Sequence, residues 1–316
     1  MMTREEARLA LRGVFTIQVT PFDADGNIDR NALIDAVDRA LDHGVNGLLI
    51  GGTYGEFATM TADERAVLFR IVMDAVRDRV PVLLCTAHSD LRTIRGLTEL
   101  ASDLGGIPMT TPPYVSELTD EHVLAFFRAV LPLAPSGLVI YNAPGVAATL
   151  TPRAIERLAD LDGVIGIKQG ELSPTTVDML VGRLRGRIAL LCASDLQMLG
   201  PLTAGFDGLT STNSCALPEL IIASANALLR GDAKRAGELH RLWYPYREFA
   251  RSAGQPQTVK AAMAVRGWTG GSVRPPLRDL SCEQRAELTP IVRSILASTH
   301  DGSRTISTSQ RAQGSP

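Results

Sequence analysis

Val164-Ile165-Gly166-Ile167-Lys168-Gln169-Gly170 is a short run of uncharged, largely β-branched and apolar residues that leads into a lysine. Such a run is typical of a strand buried on both faces within a parallel sheet. A lysine at the end of a buried strand loses part of its water, which favours the neutral, nucleophilic amine. The same lysine could instead extend to solvent or to an acidic neighbour, and this stretch alone favours neither interpretation.

Lysine is scarce in the chain, and this scarcity helps to decide whether Lys168 is a nucleophile or a surface charge. Of 32 Lys and Arg residues, only Lys168, Lys234 and Lys260 are lysines. Arginine remains protonated in proteins, whereas lysine can lose its proton and act as a nucleophile. A lysine on a strand, in a chain that uses arginine almost everywhere else, therefore suggests a site that needs deprotonation.

The run around Lys168 is one of eight strand-like runs that alternate with amphipathic helical patterns. Helix start signals are well formed, with a capping box at Thr61-x-x-Glu64 and N-caps before proline at Thr151-Pro152 and Ser173-Pro174. The alternation predicts an α/β fold, a (β/α)8 TIM barrel of parallel strands, in preference to an open doubly wound sheet. The predicted strands are Val14–Val19, Gly47–Gly51, Val82–Thr86, Ile107–Thr111, Leu138–Asn142, Val164–Lys168, Ile188–Cys192 and Gly208–Ser211.

After Ser211 the pattern becomes purely helical. We predict a barrel over residues 1–230, a C-terminal helical region over 231–300 and a disordered tail over 301–316, where polar residues leave little to bury. The predicted helices of the C-terminal part are Pro218–Leu229, Ala233–Arg251, Pro256–Arg266 and a last one from the Ser281 cap to about Ala297.

Composition excludes several classes of function. A formal net charge of −2 provides no basic footprint for nucleic acid. The four cysteines are far apart in sequence and form no C-x-x-C pair, which is typical of a reducing compartment. The N-terminus has no apolar signal region and no run reaches membrane-spanning length, so we predict a soluble cytoplasmic protein with no membrane partner. No nucleotide-binding loop and no metal-type histidine spacing occur, so we predict neither a cofactor nor a metal.

In a barrel, function gathers at the carboxyl ends of the strands. The second strand ends in the run Gly51-Gly52-Thr53-Tyr54-Gly55-Glu56. Its glycines allow a tight turn that can aim backbone N–H groups, together with the Thr53 hydroxyl, at a small anion such as a carboxylate. For this run alone, an ordinary glycine-rich turn is the simpler interpretation. We refer to Gly52–Gly55 as the glycine loop.

Tyrosines end two other strands. Tyr114 follows the fourth strand and Tyr141 lies at the end of the fifth, in a chain with only five tyrosines. A phenol beside a lysine can pass protons to and from a carbinolamine, although either ring could equally serve as a core aromatic. Asp195, after the seventh strand, could contact a substrate or cap the next helix, and the cap is the better interpretation of Asp195 alone.

Taken together, these strand ends resemble the dihydrodipicolinate synthase / N-acetylneuraminate lyase family of lysine-dependent aldolases, from about Gly13 to Ala297. The motifs are Gly52-Thr53-Tyr54-Gly55-Glu56, Tyr141-Asn142-Ala143-Pro144 and Gly166-Ile167-Lys168. The resemblance implies a Schiff base between Lys168 and the keto carbon of pyruvate or another 2-oxo acid. It implies proton transfer by Tyr141, Thr53 and Tyr114, with Tyr114 donated across a dimer interface within a homotetramer (a dimer of dimers). The substrate-binding residues that it implies are Gly52, Tyr54, Gly55, Val146, Ala193, Asp195 and Thr210.

Departures from the family pattern limit the choice of substrate. The synthase branch has an arginine, expected to grip the carboxylate of the aldehyde, where this chain has Val146. The sialic-acid branch has a glutamate where this chain has Leu196. We therefore predict a Schiff-base lyase, an aldolase or a dehydratase, with a small and less charged second substrate. The alternatives are a 4-hydroxy-tetrahydrodipicolinate synthase (pyruvate plus aspartate semialdehyde) that uses another cation such as Arg153, and an idle barrel used for binding.

Overall fold

The computed structural model describes residues 2–115 and 117–309, with side chains through residue 299. Eight parallel strands pair in chain order, and β8 closes on β1 to form a barrel. The predicted (β/α)8 fold is confirmed. The strands are β1 Gly13–Ile17, β2 Gly47–Ile50, β3 Val82–Cys85, β4 Ile107–Thr110, β5 Leu138–Asn142, β6 Val164–Gln169, β7 Ala189–Cys192 and β8 Gly208–Ser211.

Helices between successive strands cover the outside of the barrel, and one further helix precedes the first strand. The predicted caps are present: Thr61 forms a capping box with Glu64, and Thr151 and Ser173 accept hydrogen bonds from backbone N–H groups in the first turns of their helices. The helices are α1 Arg4–Ala10, α2 Arg30–Asp42, α3 Ala62–Val76, α4 Leu91–Asp103, α5 Asp120–Val130, α6 Pro152–Ala159, α7 Pro174–Leu184, α8 Leu199–Ala204, α9 Pro218–Leu229, α10 Ala233–Leu242, α11 Tyr244–Ala253, α12 Gln257–Val265 and α13 Cys282–Ser309.

The C-terminal region differs from the prediction at one point. The single helix predicted over Ala233–Arg251 is wrong, because α10 and α11 are separate helices that meet at Trp243. Pro245 lies in the first turn of α11, and a proline lacks the N–H that a continuous helix would need at that position. Such a residue is well tolerated at the start of a helix and therefore begins a new one.

The last helix, α13, continues through residues 301–309 of the segment predicted to be a disordered tail. Residues 310–316 of that segment lie outside the described residues, and the division of the chain into barrel, helical region and tail stays a prediction. Within the described part of the chain, no helix combines the length and apolar character needed to cross a membrane.

The strands separate two apolar regions. Inside the barrel, residues such as Phe15, Leu83 and Leu191 pack on one another, and Leu11, which follows α1, belongs to the same cluster. Outside, residues such as Ile140 and Ile167 pack against the surrounding helices. Both faces of each strand are buried against apolar residues. The polar side chains at the carboxyl ends of the strands are therefore the candidates for a functional site.

Candidate active site

A cavity of about 190 Å³ lies at the carboxyl end of the barrel. Its walls come from the ends of several strands, which lie far apart in the sequence and meet because the barrel closes. The lining residues are Ile17, Thr53, Tyr54, Tyr141, Ala143, Pro144, Val146, Lys168, Gly170, Ala193 and Ser194. Among these described lining residues, Lys168 alone carries a charged side chain.

Lys168 lies deep in this cavity, with 2% of its surface exposed. On β6 it is paired in register with Tyr141 of β5 on one side and Leu191 of β7 on the other. Its Nζ lies 3.6 Å from the centre of the Tyr141 ring, a contact that holds the amine over an aromatic face. Lys168 therefore points into the site and does not extend to bulk solvent, in keeping with the nucleophile hypothesis.

Tyr141 and Thr53 form a hydrogen-bonded pair beside the lysine. The Tyr141 hydroxyl and Thr53 Oγ1 are 3.1 Å apart, and either can donate. The two residues come from β5 and from the glycine loop after β2, 88 positions apart in sequence. A phenol next to a lysine and linked to a second hydroxyl can carry a proton between the reacting atoms and a neighbouring group.

The glycine loop forms a single helical turn with free amides. Residues Thr53–Gly55 are a 3₁₀ turn, and the first N–H groups of such a turn have no partner within it. No other described residue supplies a partner to the amides of Thr53 and Tyr54. A Cβ at position 52 would lie 2.7 Å from Leu49 Cδ2, so a larger residue there would require the end of the Leu49 side chain to shift. The loop can therefore bind an anion beside Lys168.

Behind the lysine, a pair of amides joins the ends of β5 and β6. Asn142 Nδ2 donates to Gln169 Oε1 at 3.1 Å, and the Leu150 amide donates to Asn142 Oδ1 at 3.0 Å. Gln169 Nε2 donates to the Glu171 carbonyl at 2.7 Å. Both amide side chains are fully buried, so they fix the strand end that carries Lys168. Asn142 and Gln169 lie 27 positions apart, and no local pattern in the sequence predicts their pairing.

Asp195 does not cap a helix, so the cap interpretation is wrong. The next helix, α8, begins after Met198 without a side-chain cap. The buried Asp195 carboxylate turns toward β8, where Oδ2 accepts from Ser211 Oγ at 2.5 Å and from Asn213 Nδ2 at 2.9 Å. Burial raises the pKa of Asp195, although both hydrogen bonds act in the opposite direction.

The raised pKa of Asp195 predicts a pH-dependent stability. A carboxyl group with a raised pKa in the folded state binds its proton more tightly there, so its contribution to stability increases as pH falls through the folded pKa. In Asp195→Asn, the amide oxygen can still accept from Ser211 and Asn213, since both donate to one oxygen. We expect the wild type to gain free energy of unfolding relative to Asp195→Asn as pH is lowered. Urea unfolding of both proteins between about pH 8 and about pH 4.5 measures this, and a constant difference would contradict it.

The remaining predicted site residues divide into two groups. Val146, Ala193 and Tyr54 line the cavity, with Tyr54 at the mouth. Burial raises the pKa of the Tyr54 phenol, and the nearby Asp195 carboxylate acts in the same direction. Four further candidates do not belong to the described lining: Gly52, Gly55, Asp195 and Thr210, whose hydroxyl donates to the Cys192 carbonyl at 3.3 Å.

Tyr114 also lies away from the cavity of this single chain. It is 40% exposed, and its ring meets that of His88 edge to face at 6.5 Å. Its predicted role requires a second copy of the chain and stays a prediction.

Comparison with known proteins identifies relatives along most of the chain. A model of the dihydrodipicolinate synthetase family matches residues 10–295. A 4-hydroxy-tetrahydrodipicolinate synthase from Synechocystis sp. is 31% identical over 285 residues, which cover 89% of this chain and 95% of that protein. A protein of the same name from Acidothermus cellulolyticus is 34% identical over 279 residues, which cover 87% of this chain and 89% of that protein.

A solved structure shows the same fold. It is a prophage protein from E. coli K12 belonging to the dihydrodipicolinic acid synthase family, in complex with pyruvate. It superposes with a TM-score of 0.83 at 25% identity, and the match covers 90% of this chain and 98% of that chain.

Proposed function

The chain belongs to the dihydrodipicolinate synthetase family, and we propose on that basis that it forms an imine between Lys168 and the keto carbon of pyruvate or another 2-oxo acid. Members of the family are lyases of the Schiff-base type, and this chain is such a lyase. The observation that carries the proposal is the buried Lys168 amine beside the hydrogen-bonded Tyr141 and Thr53 hydroxyls in one cavity.

Each step of imine formation has a group in the cavity that can perform it. The neutral Lys168 amine adds to the ketone and gives a carbinolamine. Tyr141, linked to Thr53, then protonates the departing hydroxyl, which leaves as water. The resulting protonated imine withdraws electrons from the adjacent carbon, so a C–H or C–C bond there breaks and leaves an enamine. The enamine either adds to an aldehyde or, with a leaving hydroxyl at C4, completes a dehydration.

The substrate carboxylate fits the glycine loop. The amides of Thr53 and Tyr54 are free, and both residues line the cavity that contains Lys168. In a 2-oxo acid the carboxylate is bonded directly to the keto carbon, so an anion site next to the amine selects this class of ketone. A carboxylate that accepts two backbone N–H groups forms charge-assisted hydrogen bonds, which are stronger than neutral ones.

The second substrate is proposed to lack a carboxylate. The walls beyond the lysine are formed by Ala143, Pro144, Val146 and Ala193, and no arginine belongs to the described lining. Arg153, the alternative cation, lies exposed in the first turn of α6 and outside the described lining. A pairing of pyruvate with aspartate semialdehyde is therefore the less favoured activity, although curated relatives are named for it.

Borohydride trapping tests the imine. The protein is incubated with pyruvate and with a panel of other 2-oxo acids, reduced with borohydride, and digested for mass spectrometry. We expect an adduct on Lys168 with at least one of these acids. Absence of an adduct across the panel would favour the idle barrel and overturn the proposal.

The choice between aldolase and dehydratase needs a separate assay. Enzyme that has not been treated with borohydride is offered 4-hydroxy-2-oxo acids, and pyruvate release is followed with a coupled dehydrogenase. Release of pyruvate supports aldol cleavage, whereas loss of water without pyruvate supports dehydration.

Val146→Arg is expected to change the choice of second substrate. A guanidinium at this wall can pair with a carboxylate, so kcat/KM for an aldehyde that bears a carboxylate should rise about tenfold or more relative to a neutral aldehyde. Val146→Met, which adds length without charge, is the matched control. An equal change in both variants would show that size and not charge determines the selection.

The assembly is also a proposal. Tyr114 and Val115, on the loop after β4, are 40% and 50% exposed, as expected if this loop meets a second copy. We propose that the chain forms the homotetramer implied by its family resemblance, with Tyr114 reaching a neighbouring site. Sedimentation velocity tests it, and a monomer at assay concentration would contradict it.

A further inference from the structure

A buried ion pair joins the glycine loop to the C-terminal helical region. Glu56 directly follows the loop, and its Oε1 accepts from Lys260 Nζ of α12 at 2.6 Å, with side chains only 0% and 2% exposed. Lys260 also donates to the carbonyls of Thr20 at 2.8 Å and Ser272 at 2.7 Å. The Arg274 amide donates to Glu56 Oε2 at 2.9 Å. All three ammonium protons and both carboxylate oxygens therefore have partners.

Stability alone is a weak reason for such a pair. Removing two charges from water is costly, and apolar residues of similar volume are often as stable as a buried ion pair. The position of the pair suggests another role. Glu56 has left-handed backbone geometry, with φ of 63°, which a residue other than glycine adopts only when its surroundings hold it.

The partners of the pair converge on the glycine loop. Thr20, whose carbonyl accepts from Lys260, donates its own hydroxyl to the Gly55 carbonyl at 2.7 Å. The last residue of the loop is therefore fixed through Thr20, and the residue after it through Lys260. These contacts act on the backbone of the loop, while the amides of Thr53 and Tyr54 at its other end remain free.

We propose that Lys260 and Glu56 are positioning residues for the reaction at Lys168: their ion pair holds the glycine loop so that its free amides receive the substrate carboxylate. The inference rests on the proposed function. It makes α12 and the segment 270–276 part of the substrate-binding apparatus, although none of their residues belongs to the described lining of the cavity.

The test compares two ketones, one of which presents a charged group to the loop and the other a neutral one. Pyruvate carries a carboxylate, whereas methyl pyruvate carries a neutral ester, and both can form an imine with Lys168. Borohydride trapping at Lys168, measured by peptide mass spectrometry over a range of concentrations, gives a trapping efficiency for each. Because the ratio of the two efficiencies is taken on one protein sample, an unfolded fraction cancels.

In Lys260→Met the preference for pyruvate over methyl pyruvate is expected to fall about tenfold. This is the size of effect expected when the loop amides no longer form a charge-assisted hydrogen bond with the substrate carboxylate. The matched control is Arg266→Met. Arg266 also joins the C-terminal region to the barrel, through Glu219 and the Ala216 carbonyl, without a contact to the glycine loop. We expect the control to retain the wild-type preference.

A second variant covers the case in which an unpaired Glu56 prevents folding. The double variant Glu56→Gln/Lys260→Met removes both charges, leaves none buried alone, and should lose the preference as well. An unchanged preference in either folded variant overturns the positioning role. A wild-type protein that traps no 2-oxo acid overturns the proposed function itself, so the two failures are distinguishable.

Discussion

Lys168→Arg is expected to abolish both the borohydride adduct and the turnover of every 2-oxo acid that the wild type accepts. Arginine keeps much of the length of lysine and is also a base, so the substitution tests the ability to lose a proton. A guanidinium does not lose its proton near neutral pH and cannot add to a ketone. The loss should be complete, because no other amine belongs to the described lining of the cavity.

Lys234→Arg is the matched control for this prediction. Lys234 is one of the two other lysines in the chain and is exposed on α10. We expect this variant to trap and turn over like the wild type. Circular dichroism and size-exclusion chromatography show whether Lys168→Arg is folded. A folded Lys168→Arg with residual adduct on another residue would reject Lys168 as the nucleophile.

The barrel was predictable because its signals are local. The apolar run 164–167 needs only its own residues to be recognised as part of a buried strand, and the caps at Thr61 and Ser173 are recognised over a few positions. Once the order of the strands was fixed, the meeting of Thr53 with Tyr141 followed from the closed barrel. Helix α11 departs from the prediction because Pro245 begins a new helix where one continuous helix was expected.

The parts that were not predictable depend on contacts between distant side chains. The cap interpretation of Asp195 depends on its local sequence alone, because aspartate is a preferred N-cap residue. Its actual partners, Ser211 and Asn213, lie 16 and 18 positions away and have no local signal. The scarcity of lysine singled out Lys168, yet it applied equally to Lys260, whose role depends on Glu56, 204 positions away. Scarcity alone therefore does not identify the nucleophile, since it applies also to the exposed Lys234, and only the fold separates a nucleophile from an ion-pair partner.

Tyr141→Phe is expected to lower the rate of imine formation about a hundredfold or more, the usual effect of removing a general acid–base group. Phenylalanine keeps the ring that lies 3.6 Å from Lys168 Nζ, so the contact with the amine is preserved while the hydroxyl is lost. Thr53→Val removes the partner hydroxyl and leaves the phenol in place, so a smaller loss is expected. Single-turnover trapping with pyruvate measures both variants, and mass spectrometry shows whether the adduct still forms at Lys168.

The double variant decides whether the two hydroxyls act as one relay. Thr53 Oγ1 and the Tyr141 hydroxyl are 3.1 Å apart, so residues that act as a unit should give non-additive losses. If the proton passes along this pair, Thr53→Val/Tyr141→Phe should be no slower than Tyr141→Phe alone, because removal of the phenol already breaks the path. If the loss of rate in the double variant equals the product of the two single losses, Thr53 acts independently, through its contact with the substrate carboxylate. A Tyr141→Phe rate equal to that of the wild type would remove the phenol from the mechanism and leave proton delivery to water.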